Sequence, residues 1–264
     1  MNVIDFKDLK PQISNGTFKF YNFYNLDLSL ETVYGVNYYK NTNEDVEETQ
    51  QILKTIFTDI EVYRVDKDIE FSFEESLHPI SALTFHFNDV YYAYFLNIHN
   101  IDIDINQWEK DFHRDLLENN YIESKEKVQI SIFDNELDLI KSFWLKVKEI
   151  DPVILSGWNS HTFDYPYIYK RLIAITNDER EATNIVSPLN HIKWHKKNEI
   201  KIADYSIADL MYLYMPREDG GRNYGKKQQS YSLDYVSDVE LGLKKFEYKS
   251  KNIDLDDFFT DSLV

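Results

Sequence analysis

The chain has 264 residues, 43% of them apolar, and a formal net charge of −17. It contains no cysteine, which excludes a disulfide scaffold and cysteine-ligated zinc. No apolar run approaches the ~18 residues that a membrane span needs, and Met1 to Lys10 is charged with no apolar h-region, so no membrane association and no secretory signal are expected and the default location is the cytoplasm.

The acidic balance argues against a protein that works mainly by gripping a phosphate backbone. Tyrosine (20) and phenylalanine (17) are abundant, which implies large buried surfaces or a surface that stacks on something flat. The polar, acidic run from Asn41 to Gln51 is the nearest thing to a boundary. It follows an aromatic-rich stretch, Phe18 to Tyr39. Residues 1–54 therefore read as an N-terminal appendage and residues 55–264 as the main domain.

The main domain opens with strand signals. Ile56 to Tyr63 alternates, with Ile56, Thr58, Ile60 and Val62 on one face and Phe57, Asp59, Glu61 and Tyr63 on the other. Ile80 to Phe87 and Val90 to Asn97 are further β-rich runs, with Asn88-Asp89 as the turn between them. Together the three predict an antiparallel meander. The period then changes. Leu137, Ile140, Phe143, Val147 and Ile150 have helical spacing, Asp134 or Asn135 is placed to cap the start, and Asp151-Pro152 ends the run.

Pro152 to Ser156 predicts a short buried strand, Gly157 to Asp164 a turn, and Tyr165 to Thr176 a helix with Pro166 in its first turn. Ile200 to Tyr214 and Tyr231 to Leu243 read as helical or mixed, which places Asp209 on a helix face in a structural role. His191, Lys193, Trp194, His195, Lys196 and Lys197 form a small basic, aromatic patch. Lys196 to Glu199 is either a hairpin tip or a solvated turn, and Pro216 to Gln229 reads as a loop. Strands in series, then helix, strand and helix, predict an α/β domain with a mixed sheet.

Two constellations carry chemistry. In Asp59-Ile60-Glu61 the carboxylates project from one strand face, about 7 Å apart along the chain. Paired acids are costly unless a cation neutralises them, and Mg²⁺ prefers such oxygens; the triplet also reads as a plain solvated face. The second is Gly157-Trp158-Asn159-Ser160-His161-Thr162-Phe163-Asp164. It puts Asp164 at a strand C-terminus, where α/β folds place their sites, or in a simple capping position. His161 reads as a loop residue.

Taken together, these runs resemble the bacteriophage-type family B DNA polymerases. Asp59-Ile60-Glu61 is similar to their first exonuclease motif. Phe133 to Glu136, Gly157 to Asn159 and Phe163 to Ile168 resemble the second. Tyr231 to Val236 with Glu240-Leu241-Gly242 resembles the helix between the second and third motifs, and Lys245 to Tyr248 the Lys-x-x-hydrophobic motif. The resemblance implies an RNase H-like fold, in which a mixed sheet of antiparallel meander and parallel strands is flanked by helices. It also implies a 3′→5′ proofreading exonuclease using two divalent ions, Mg²⁺ or Mn²⁺. In that scheme Asp59, Glu61 and Asp164 are metal ligands, Asn159 and Phe163 hold the 3′-terminal nucleotide, and Lys245 lies near the scissile phosphate. The partners implied are a single-stranded or frayed 3′ end of DNA and a polypeptide carrying the remaining exonuclease and polymerase motifs. The family's third motif, Tyr-x-x-x-Asp, is absent: none of Asp254, Asp256, Asp257 or Asp261 has a tyrosine four residues before it. A split polymerase, a truncated form, a catalytically incomplete assembly or DNA-positioning subunit and a diverged stand-alone nuclease all fit that departure.

Overall fold

The computed structural model describes residues 53–64, 72, 73, 75–98, 102, 104–118, 122–196, 198–216, 221 and 227–243. All of them belong to the compact unit Leu53–Val264. Of the appendage read at 1–54, only Leu53 and Lys54 are described. Lys245, the segment 252–264 and most of the loop expected at 216–229 lie outside the described residues.

The centre of the fold is β1 (Thr55–Val62). It pairs antiparallel with β2 (Ile80–Phe87), which pairs antiparallel with β3 (Val90–Leu96). This is the expected meander. Asn88 in the β2–β3 turn takes a positive φ of 55°, a conformation asparagine tolerates well. On its other side β1 runs parallel to β5 (Ile154–Gly157), and β5 runs parallel to β8 (Ser206–Asp209). With β4 (Lys127–Phe133), parallel to β3, the sheet has six strands in the order β4-β3-β2-β1-β5-β8. The mixed α/β sheet of the sequence reading is thus present.

Helix α1 (Ile105–Glu118) and strand β4 had no counterpart in the chain-order reading. Both show one-sided patterns. Trp108, Leu116 and Leu117 of α1 pack with Tyr91, Ala93 and Phe95 of β3 and with Val128 and Ile130 of β4. The alternate β3 residues, Tyr94 and Leu96, belong to the main core with the buried β1 residues Ile56 and Ile60. Strand β3 is therefore covered on both faces, and its near-continuous apolar sequence follows from that.

The main core forms under α2 (Glu136–Ile150) and α3 (Asp164–Thr176), with α4 (Glu179–Val186) behind them. Asn135 caps α2 as expected, its side chain accepting from the N–H groups of Leu137 and Asp138. Helix α3 buries Tyr165, Tyr167 and Tyr169, and each hydroxyl finds a partner: Ser156 O at 3.0 Å, His78 O at 2.8 Å and Thr183 Oγ1 at 2.8 Å. Those bonds remove the penalty of burying a phenol and fix the rotation of the helix.

Strands β6 (Ile192–Lys196) and β7 (Glu199–Ile202) make the small antiparallel hairpin that the Lys196 to Glu199 reading allowed. Helix α5 (Met211–Tyr214) is a single turn, and α6 (Leu233–Leu241) is capped by Ser232 and ended by Gly242 at φ 68°. One expectation is corrected. Asp209 is the last residue of β8, not a residue on a helix face. Ile207, Leu210 and Leu213 mimic helical spacing because a four-residue strand and a one-turn helix follow each other directly. Short apolar runs of this kind do not declare their period.

Candidate active site

The alternation along β1 puts its acids where the sequence reading expected them. Ile56, Thr58 and Ile60 are buried, whereas Asp59 is exposed and Glu61 half-buried on the opposite face. That face is open: Phe57, in the central part of the sheet, is 41% exposed. Beside it runs a groove of about 540 Å³ whose lining includes Phe57, Asp59, Thr84, Tyr91, Trp158 and Leu233.

Asp164 opens α3 and is only 2% exposed. Its Oδ1 accepts the backbone N–H of Ile60 at 3.0 Å, which ties the start of α3 to the residue between Asp59 and Glu61. The three acids are thereby brought to one stretch of β1 from positions more than a hundred residues apart. Burial and then the Asp59 charge push the Asp164 carboxyl up to about 8, against the pull of two backbone hydrogen bonds; Asp209 adds to the rise. At neutral pH burial favours the neutral acid at this position, and a positive charge beside it would favour the carboxylate. Among the described residues, no three His, Asp or Glu side chains converge closely enough as they stand to hold an ion between them. The donor set nevertheless fits a hard divalent ion in kind, being carboxylate oxygens with one of them held buried.

The loop between β5 and α3 is built around two residues. Gly157 runs so close to β1 that a Cβ there would lie 2.5 Å from Thr58 O and 2.8 Å from Ser160 Cβ. Asn159 takes a positive φ of 60°, and its Oδ1 accepts from Thr162 Oγ1 at 2.6 Å. The loop backbone is then gathered by Asp209, whose Oδ1 accepts from Asn159 N at 2.9 Å and Met211 N at 3.0 Å, while Oδ2 accepts from His161 N at 3.2 Å. Asp209 is thus spent on backbone donors, and His161 is a loop residue as expected. Phe163 occupies the N-cap position of α3 and stacks on Tyr167 at 5.7 Å. Trp158 Nε1 donates to Tyr231 O at 3.0 Å, which fastens the loop to the segment leading into α6.

A second support was invisible in sequence. Glu136, in the first turn of α2, accepts from Ile80 N at 2.8 Å and from Arg171 of α3 through Nε (2.8 and 3.1 Å) and Nη2 (2.7 Å). Arg171 Nη1 donates in turn to Ser76 O at 2.9 Å and Leu77 O at 3.3 Å. This largely buried fork locks α2, α3 and the entry to β2 into one frame. The only trace of it in sequence was Glu136 inside the quoted Phe133 to Glu136 run.

The profile of the DNA polymerase family B exonuclease domain matches residues 19–236. The chain belongs to the exonuclease-domain family of the family B DNA polymerases. This exonuclease domain is 28% identical over 207 residues to the DNA-directed DNA polymerase of Escherichia phage RB69, covering 72% of this chain and 21% of the relative. It is 30% identical over 89 residues to the DNA-directed DNA polymerase of Enterobacteria phage T4, covering 31% and 10% respectively. It is also 26% identical over 129 residues to the DNA polymerase catalytic subunit of Gallid herpesvirus 2, covering 46% and 10%. The chain thus spans about a fifth or less of the length of these relatives. Exonuclease domains of this family are metal-dependent nucleases, and these relatives act on DNA. Among the described residues, no helix is long and apolar enough to cross a membrane.

Proposed function

We propose that this chain carries the 3′→5′ proofreading exonuclease chemistry of a DNA polymerase, hydrolysing the terminal phosphodiester of a single-stranded or frayed 3′ end and releasing nucleoside monophosphates. The observation that carries the reading is Asp164: a carboxyl buried at the start of α3 and hydrogen-bonded to Ile60 N, between the two acids of β1. In this reading Asp59, Glu61 and Asp164 ligate two Mg²⁺ or Mn²⁺ ions. When bound, such ions supply an activated water and stabilise the departing 3′ oxygen.

The chain's own residues position the substrate. Phe163, braced by Tyr167, offers an aromatic face to the terminal base, and Asn159 a polar group beside it. Gly157 and Asp209 hold the loop that carries both. Lys245 is assigned to the scissile phosphate by its motif alone. The DNA that this domain acts on is supplied, in this reading, by a polymerase portion carrying the remaining exonuclease and polymerase motifs, in the cytoplasm. The appendage at 1–54 remains a separate element in this reading, although the family profile already begins at residue 19.

A 5′-labelled primer with a 3′ mismatch, incubated with Mn²⁺, tests the proposal alongside calorimetric Mn²⁺ titration. Stepwise shortening from the 3′ end and a heat of Mn²⁺ binding are expected, and Asp164→Ala loses both. Mn²⁺ binding that is untouched by both Asp59→Ala and Asp164→Ala overturns the site.

A further inference from the structure

The loop between β5 and α3 turns on Asn159, and its neighbours occupy every polar atom of that residue but one. The Asn159 N–H donates to Asp209 Oδ1 at 2.9 Å. The carbonyl accepts from Phe163 N at 3.0 Å and Thr162 N at 3.2 Å, at the entry to α3. The side-chain Oδ1 accepts from Thr162 Oγ1 at 2.6 Å. Among the described residues nothing accepts from Nδ2, and Asn159 is half-buried.

The direction of this amide is a chemical choice. A carboxamide is an acceptor on one side and a donor on the other, and turning it over exchanges the two within the same shape. Thr162 makes the choice. Its hydroxyl lies 3.4 Å from Asn159 O and 2.6 Å from Oδ1, so its one proton goes to the nearer oxygen. A separation of 2.6 Å suits O–H···O and is short for N–H···O. The amide is thereby held with its carbonyl inward on the loop, and the group it has left to offer is a donor.

Asp209 fixes the backbone beneath. Asn159 sits at φ 60°, in the left-handed region, and the Asp209 carboxylate takes the N–H groups of Asn159 and His161 on either side of Ser160. It takes Met211 N as well, and Asp209 is only 6% exposed. A carboxylate accepts through both oxygens, whereas an amide of the same shape accepts through one. Only the acid can serve all three donors.

We propose that Thr162 and Asp209 are positioning residues for the 3′-terminal nucleotide: Asp209 holds the Asn159 backbone in its turn, and Thr162 orients the amide so that Nδ2 donates to an acceptor oxygen of that nucleotide. The inference rests on the reading that Asn159 contacts the terminal nucleotide.

The test is titration of thymidine 5′-monophosphate into the full chain with Mn²⁺, followed by calorimetry and by the Asn159 side-chain amide signals in nuclear magnetic resonance, which Asn159→Asp identifies by removing them. In the parent, thymidylate shifts those signals. Thr162→Val keeps the shape of the side chain and removes the hydroxyl; it weakens thymidylate about fivefold, the loss of one oriented hydrogen bond, and retains the parent's Mn²⁺ affinity. Thr162→Ser restores thymidylate binding. Asp209→Asn leaves the loop one acceptor short and weakens thymidylate about tenfold; where that variant does not fold, the Thr162 pair decides. Parent affinity in Thr162→Val or in Asp209→Asn, with Asn159→Asp impaired, overturns the role of that residue and leaves the Asn159 reading standing. Thr162→Ser as impaired as Thr162→Val assigns the effect to packing and likewise overturns the role of Thr162. Thymidylate binding indifferent to Asn159→Asp, or absent in the parent, overturns the Asn159 reading and the inference with it.

Discussion

Replacing Asp164 with asparagine separates what this carboxyl does for the site from what it does to the fold. In the metal-free chain the folded state holds the Asp164 proton up to about pH 8, whereas the ordinary value is 3.8. Between those values the unfolded chain has released the proton and the folded chain has not. Stability from this group is therefore full below about pH 4 and is lost progressively as the pH rises toward 8. Each pH unit in that window costs about 1.4 kcal/mol, so at pH 7 the group costs on the order of 4 kcal/mol. Asp164→Asn keeps an oxygen that can accept from Ile60 N and removes the titration. In EDTA the variant is expected to match the parent near pH 4 and to exceed it at pH 7, with a melting temperature higher by roughly 10 °C. Mn²⁺ reverses the order, because a bound cation favours the carboxylate: it raises the melting temperature of the parent and leaves the variant unmoved. Thermal melts by circular dichroism between pH 4 and 8, with EDTA or Mn²⁺, read all of this. An asparagine variant with the parent's pH slope and no gain at pH 7 would refute the reasoning.

Two further perturbations probe the frame. Glu136→Ala leaves the Arg171 guanidinium largely buried with only carbonyl partners and is expected to cost about 3–5 kcal/mol in urea unfolding, whereas Glu136→Ala combined with Arg171→Met costs clearly less than the sum of the two single changes. Gly157→Ala forces a methyl to within 2.5 Å of Thr58 O, so β1 and β5 must part; a loss of about 1–3 kcal/mol is expected, together with weaker Mn²⁺ binding by calorimetry.

Some of this protein is settled locally. The alternation of Ile56 to Glu61 decides that Asp59 and Glu61 share a face whatever else folds around them, because strand side chains alternate by geometry. The Asn135 cap, the Asn88 turn and the helical run after Asp164 are likewise made by atoms a few residues apart, and short-range signals of that sort survive in the sequence. Helix α1 and strand β4, which the pattern of the sequence did not predict, show the limit of pattern alone: their one-sided faces acquire meaning only once Tyr91, Ala93 and Phe95 present a second covered side of β3.

The site itself is a long-range product. Ile60 N meets Asp164 across 104 positions, Asn159 N meets Asp209 across 50, and Glu136 meets Arg171 across 35. Asp209 reads as an ordinary acid in a mixed apolar run until β8 ends beside the loop and its two oxygens take three backbone donors. Residue identity and strand alternation alone settle which acids exist and that Asp59 and Glu61 share a face. Only the tertiary structure decided which carboxyl is buried among them and which is spent on backbone, because burial and hydrogen-bond satisfaction are properties of the assembled layers and not of any residue alone.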